Sequence, residues 1–185
     1  MASEITLASS AQDINIIAVI DTEWVKKTYP NPSQNQAAPT GIAHNGQFLI
    51  CTGARGVKGQ GTADLEITAY PGDRVQFTGV SIYDNSDDAV IIYNIPRYQG
   101  DEVFNPFVCN TVVRNGAVEP NPDSGTRNGL PPLKKQLTFA TFDSSVRRSG
   151  TEYFGVCFAL YKLVGGQNQE LFGYYWWDPK IIVPA

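Results

Sequence analysis

The chain is poor in the residues that most often carry chemistry. Its 185 residues include one histidine, one methionine and three cysteines, and the cysteines are far apart, at Cys51, Cys109 and Cys157. Because no C-x-x-C pair is present, a thioredoxin-type or zinc-ribbon site has no support. His44 is the single histidine, so a multi-histidine metal site is excluded, and a serine or cysteine nucleophile would have to use this one imidazole or a lysine. We therefore expect no catalytic activity.

An excess of positive charge is also absent. Lys and Arg total 14 against 18 Asp and Glu, a formal net charge of −4, which argues against nucleic-acid binding. No apolar run reaches the roughly 18 residues of a membrane-spanning helix. The N-terminus lacks the basic region of a secretory signal, since Lys26 is the first positive side chain. We expect cytoplasmic synthesis, with release by a non-classical route left open.

What the chain does contain is a series of short β-rich runs separated by turn residues. No stretch shows a sustained helical period, so any helix should be a short loop segment. We expect an all-β fold, a single-domain β-sandwich over residues 1–185 of jelly-roll or Greek-key type, with about nine strands and a flexible N-terminus at 1–12. The predicted strands are 14–20, 48–52, 64–69, 74–79, 89–95, 106–113, 137–142, 152–163 and 170–177. The first is apolar on nearly both faces, which predicts a central, well-covered strand.

The connections between these runs carry their own signals. Residues 70–73 read Tyr-Pro-Gly-Asp, which predicts a type II turn that leads from one sheet to the other. Asn115-Gly116 predicts a turn that closes the strand before it. Two connections, 26–47 and 114–135, are unusually long. We expect them at the ends of the sheets, where a binding site would be built.

The sharpest polar cluster is Asp84-Asn85-Ser86-Asp87-Asp88. Hard cations such as calcium take several oxygen ligands, so Asp84, Asp87 and Asp88 are candidate calcium ligands and Asn85 a candidate ligand-binding residue. The spacing does not match an EF-hand loop. The simpler interpretation is a polar hairpin tip between two strands.

An aromatic stretch near the C-terminus is the second candidate site. Trp176 and Trp177 are neighbours on a predicted strand and must point to opposite faces, so at most one enters the core from that sheet. The other could stack on a sugar ring, contact a partner or fill a dimer interface, so Trp176, Trp177 and the neighbouring Asp178 are candidate ligand-binding residues. Structural burial of both is the simpler interpretation.

Five segments together resemble a known family. They are IAVIDTE at 17–23, YPNP at 29–32, PTGIAH at 39–44, YPGD at 70–73 and GYYWWDP at 173–179. Their order and spacing look like those of the bacterial AidA/PixA family, also called inclusion body proteins. The resemblance covers almost the whole chain, from about residue 13 to the end.

The resemblance implies a small bacterial protein with no assigned catalytic activity and no catalytic residues to carry over. Some members of the family are linked to quorum sensing and host interaction, and others to intracellular inclusions. The inclusion-forming branch is described as methionine-rich, whereas this chain has only Met1. That difference favours the AidA-like branch.

Three hypotheses follow for function. The first is a non-enzymatic binding protein with a carbohydrate or protein partner, in its sharpest form a calcium-assisted lectin that uses residues 84–88 with Trp176 or Trp177. The second is a structural protein that assembles as a homo-oligomer, a dimer or a larger stack. The third, ranked last, is a hydrolase with a pair of carboxylates, which the fold would have to bring within about 5–10 Å.

Overall fold

The computed structural model describes residues 10–183, with side chains described as far as residue 179. This part of the chain forms fourteen strands and one short helix, which confirms the all-β fold. The number of strands exceeds the predicted nine because several are too short to show an alternating pattern. The strands are β1 (Asp13–Ile20), β2 (Thr40–Gly41), β3 (Gln47–Thr52), β4 (Gly56–Lys58), β5 (Glu66–Thr68), β6 (Arg74–Ser81), β7 (Ala89–Asn94), β8 (Arg97–Gly100), β9 (Val108–Glu119), β10 (Leu133–Ser145), β11 (Gly150–Phe154), β12 (Val156–Val164), β13 (Asn168–Trp177) and β14 (Lys180–Val183), and the helix is α1 (Thr22–Thr28).

The described strands form four sheets. The largest has the order β3-β1-β6-β10-β9, and the second has the order β2-β13-β12-β7. Two smaller sheets, β14-β11-β8 and β4-β5, complete the set. Both larger sheets are mixed, since β1 is parallel to β6 and β2 is parallel to β13. A parallel pair needs a long crossover, so the chain between β1 and β6 builds α1 and four short strands before it returns.

The two larger sheets share one hydrophobic core. Ile14 and Ile16 of β1 lie in the same buried cluster as Phe158 of β12 and Trp177 of β13. Alternation places every second side chain of β1 inward, and each buried isoleucine among them contributes about 1.5–3 kcal/mol. The strand is central, between β3 and β6, as predicted. Its second face, however, is only partly covered, and Ile17 on that face is half-buried.

The predicted corner at residues 70–73 is present. The Asp73 N–H donates to the Tyr70 carbonyl at 3.0 Å, and Gly72 has the positive φ, +96°, that a type II turn requires. The turn leads from β5 in the two-stranded sheet to β6 in the five-stranded sheet. Proline and glycine therefore marked a change of sheet, as the sequence predicted.

The long connection that begins at residue 26 contains the end of α1, which starts with a cap at Asp21. The Asp21 carboxylate accepts the N–H of Trp24 at 3.0 Å.

In the predicted flexible segment 1–12, residues 1–9 lie outside the described residues, and the Gln12 N–H donates to Asp73 at 2.8 Å. Within the described chain, no helix has the length and apolar character to cross a membrane.

Candidate functional site

The polar cluster at residues 84–88 forms a tight turn after β6. The side-chain oxygen of Asn85 accepts the N–H groups of Ser81 and Val90, each at 2.9 Å. Asp84 and Asn85 both have positive φ, near +55°, which asparagine and aspartate tolerate better than most residues. Asn85 therefore uses its side-chain oxygen to close the turn, and this is the same oxygen that a ligand would need.

Asp88 faces the protein rather than the loop surface. It is 3% exposed, its Oδ2 pairs with Lys26 Nζ at 2.6 Å, and its Oδ1 accepts the Leu163 N–H at 3.2 Å. Among the described residues, no three acidic, histidine or cysteine side chains are grouped so that they could hold a metal ion. The geometry favours the hairpin-tip interpretation, and the calcium ligation by Asp84, Asp87 and Asp88 stays a prediction.

The aromatic strand divides its two tryptophans between faces, as the alternation predicted. Trp177 is buried, and its Nε1 donates to the Ala63 carbonyl at 3.2 Å. Trp176 points to the other face, where it is half-buried and contacts Tyr98 edge-on, with ring centroids 6.2 Å apart. Only Trp176 is therefore placed to contact a ligand or a partner.

Asp178 belongs to a small polar network at the end of β13. Tyr98 donates to its Oδ2 at 2.8 Å, and the ring of His44 lies between Asp178 and Asp64, with 3.0 Å to each carboxylate. Burial opposes the charge on His44, but the two carboxylates raise its pKa above the usual value. The imidazole therefore links two loops to the end of β13. No signal in the sequence pairs it with Asp64 or Asp178, because both contacts are long-range.

One exposed surface that carries several large apolar side chains is the outward side of the five-stranded sheet, here called the outer face. It includes Ile50 of β3, 45% exposed, next to Ile17 of β1, its register partner. Across the sheet, Phe139 of β10 and Val108 of β9 are 50% and 60% exposed. A shallow depression of about 140 Å³, lined by residues of β1, β3, β6 and β10 including Ile17, Ile50 and Thr141, shows that these strands present one surface.

The outer face continues into a long hairpin, here called the arm and comprising residues 108–141. β10 pairs with β6 only from Phe142 to Ser145, whereas its pairing with β9 runs from Asp143 to Leu133. Beyond β6 the arm extends roughly 30 Å at about 3.3 Å per residue. Within it only Ser124 is buried. β9 is an edge strand, so it presents unpaired backbone groups that could add a further strand.

Sequence reasoning missed the arm, because it predicted a turn at Asn115-Gly116 and a loop over 114–135. That prediction is wrong: β9 continues through both residues to Glu119. Arg114 pairs with Leu137 and Ala117 pairs with Lys135, so Asn115 and Gly116 together face Gln136. This is a β-bulge, in which two residues oppose one, and the Gln136 side chain donates to the Asn115 side chain at 2.9 Å. The Asn-Gly signal marked a bulge because glycine is typical of both features.

Comparison with known proteins identifies the family. A family model described as PixA, inclusion body protein, matches residues 12–183. The chain belongs to this family. The crystal structure of the inclusion body protein (PixA) from Burkholderia cenocepacia J2315 is similar, with 33% sequence identity, a TM-score of 0.78, and coverage of 97% of this chain and 99% of the other. None of the curated proteins compared with the chain matches it.

Family membership confirms the resemblance seen in the sequence. Among the sequence hypotheses it supports the inclusion-type structural protein, although the single methionine had favoured the other branch. It gives no support to carbohydrate binding or to quorum sensing.

Proposed function

We propose that this chain is a non-enzymatic, self-assembling structural protein of the inclusion type, whose copies associate through the arm and the outer face. The observation that carries the proposal is the exposure of the arm on both sides along an open edge strand. An isolated two-stranded ribbon is marginally stable in water, so the arm gains stability when another chain covers it.

Charge supports a second copy of this chain as the occupant. The arm carries four basic and two acidic side chains, a formal charge of +2, whereas the whole chain is −4, so the remainder is −6. Opposite charges on the arm and on the body favour contact between the arm of one copy and the body of another. The charged residues of the arm are Arg114, Arg127, Lys134, Lys135, Glu119 and Asp123.

The test is the molar mass of the purified protein over a concentration series, measured by sedimentation equilibrium. We expect mass to rise with concentration, and Phe139→Glu to weaken association at least about tenfold, because it buries a charge in the apolar contact. The matched control is Ile82→Glu, since Ile82 is 54% exposed but lies outside the arm and the outer face. Association should also weaken as salt is raised, because the charges are at the surface.

A wild-type protein that stays monomeric at high concentration would contradict the proposal. Equal loss of association in the Ile82 and Phe139 variants would show that the arm is not the contact. Circular dichroism of each variant separates a lost interface from a lost fold.

A second candidate function, carbohydrate binding, is favoured by one observation. Trp176, Tyr98 and Tyr153 form an aromatic patch beside Asp178, with neighbouring ring centroids 6.2 Å apart. A glycan array with calcium and again with a chelator tests it. Hits that survive the chelator and are lost in Trp176→Ala support this patch. Calcium-dependent hits point instead to Asp84 and Asp87. An array without hits contradicts carbohydrate binding and leaves self-assembly as the proposed function.

A further inference from the structure

A cleft of about 380 Å³ lies between the β7–β8 turn and the loop that precedes β9. Its volume is near the lower end of the range for small-molecule sites. Opposite charges converge on it, together with amide and aromatic groups. The lining residues that matter here are Asn94, Arg97, Glu102, Phe104, Arg147 and Glu152.

Glu152 is the buried charge of the cleft. It is 3% exposed, and its Oε2 accepts the N–H groups of Val103 and Phe104 at 2.6 and 2.9 Å. Its Oε1 accepts no hydrogen bond from any described residue. Burial raises the pKa of Glu152, against the effect of the two N–H donors and of Arg97. One carboxylate oxygen is therefore held in place without a partner.

Arg97 supplies the opposite charge. Its guanidinium donates to the Gly100 carbonyl at 2.6 Å and forms no ion pair among residues 10–179. The cleft has two further charged side chains, Arg147 and Glu102. They pair with each other at 2.8 Å and are more than half exposed. Arg97 and Glu152 interact at a distance, but among the described residues neither forms an ion pair, so each keeps capacity to bind a charged group.

Packed aromatic rings form the apolar side of the cleft. Phe104 and Phe107 are packed with ring centroids 5.6 Å apart, and both rings contact the buried Phe154. Asn94 lines the same cleft, and its side-chain amide bonds to no described residue. The wall suits an apolar group, and the amide suits a polar one.

We propose that this cleft binds a free amino acid with an apolar side chain. The ammonium group would donate to Glu152, the carboxylate would accept from Arg97, and the side chain would pack on Phe104 and Phe107. A simple amine would leave Arg97 unpaired and a simple acid would leave Glu152 unpaired, whereas a zwitterion satisfies both. A sugar carries neither charge and has no large apolar group for the wall.

Isothermal titration calorimetry with L-phenylalanine tests the proposal, with phenethylamine, 3-phenylpropionate and glucose as comparison ligands. We expect L-phenylalanine to bind, and the two analogues that lack one charge to bind at least about tenfold more weakly. Arg97→Gln and Glu152→Gln should each reduce affinity at least about tenfold. Glu152→Gln can keep the oxygen that accepts from Val103 and Phe104, while an NH2 group, which can only donate, replaces the other oxygen. The control is Arg74→Gln, since Arg74 pairs with Asp13 on the surface and should leave binding unchanged.

No binding of L-phenylalanine or L-leucine up to about 10 mM would overturn the proposal. Equal binding of phenethylamine, or tighter binding of glucose, would overturn it as well. If Glu152→Gln does not fold, the affinity of Arg97→Gln for L-phenylalanine tests the proposal by itself. The outcome is independent of self-assembly, which the sedimentation experiment reads separately.

Discussion

The body and the arm are made of the same kind of strand but differ in what covers them. In β1 every second side chain is buried, because the four-stranded sheet lies over that face. In the twelve residues of β9 none is buried. A β-rich pattern therefore specifies a strand in both places. Burial also requires a second layer of structure, which the described part of the same chain does not supply to the arm.

The largest expected effect compares two phenylalanines, Phe77 in the body and Phe139 on the arm. Phe77 is fully buried and packs edge-on against Phe107 and Phe154. We expect Phe77→Ala to reduce the free energy of unfolding by about 3–5 kcal/mol, through lost burial and a cavity. Phe139→Ala should change it by no more than about 0.5 kcal/mol in the monomer. Urea unfolding at low protein concentration measures both.

Equal destabilisation by the two variants would break the comparison between body and arm. It would mean that the arm is packed as the body is. A loss of unfolding free energy in Phe139→Ala that grows with protein concentration would instead sharpen the comparison, because Phe139 is buried only when the arm is covered by another copy.

The next effect concerns the polar corner of the body at Asp73. This buried carboxylate pairs with Arg55 and accepts N–H groups of Tyr70 and Gln12 at 2.7 and 2.8 Å. Burial acts to raise its pKa, but Arg55 and the two N–H donors lower it below the usual value. We expect Asp73→Asn to reduce the free energy of unfolding by about 1–3 kcal/mol at neutral pH.

The pH dependence of Asp73 follows from the direction of its pKa shift. A carboxyl group with a lowered folded-state pKa contributes stability that is fully present above its unfolded pKa, near 3.9, and is lost as pH falls through the folded pKa. The difference between wild type and Asp73→Asn should therefore shrink below about pH 4. Asp13→Asn is the control, since Asp13 makes an exposed pair with Arg74 and its loss should cost little. Urea unfolding from neutral to acid pH checks this, and a constant difference would contradict it.

The smallest effect concerns His44, which joins two loops to β13. A raised histidine pKa contributes stability that is fully present below the unfolded pKa, near 6.5, and is lost as pH rises through the folded pKa. We expect the Tm of wild type, but not of His44→Gln, to fall between about pH 6.5 and 8. Because His44 is partly exposed, the effect should stay below about 1 kcal/mol.

His44 is the one histidine of the chain, so its proton NMR signal can be followed without assignment of others. The titration midpoint should lie above 6.5 in wild type and move down in Asp178→Asn. A midpoint at or below 6.5 in wild type would show that the two carboxylates do not hold the imidazolium.

Local patterns predicted the parts of the fold that depend on neighbours in sequence. Trp176 and Trp177 point to opposite faces because side chains alternate along any strand. Pro71 and Gly72 make a turn because one fixes φ and the other allows a positive φ. Asn115-Gly116 shows the limit, since the same two residues suit a turn and a bulge and only the pairing of β9 with β10 decides between them.

The surroundings of the candidate site residues depend on distant contacts, which local patterns do not predict. Asn85 and Asp88 looked like ligands, but their oxygens are used by backbone N–H groups and by Lys26. Nothing in the sequence indicated the cleft at Glu152, since Arg97 and Glu152 are far apart in sequence and line the same cleft only because β8 and β11 are neighbours in one sheet.

The sequence by itself determined that this chain is an all-β member of its family, because alternation, turn residues and the order of short segments are local properties of the chain. Only the tertiary structure decided which strand lies beside which, and therefore which face stays uncovered and which charges meet. Those facts follow from long-range pairing, which many combinations of the same strands could satisfy equally well at the level of sequence.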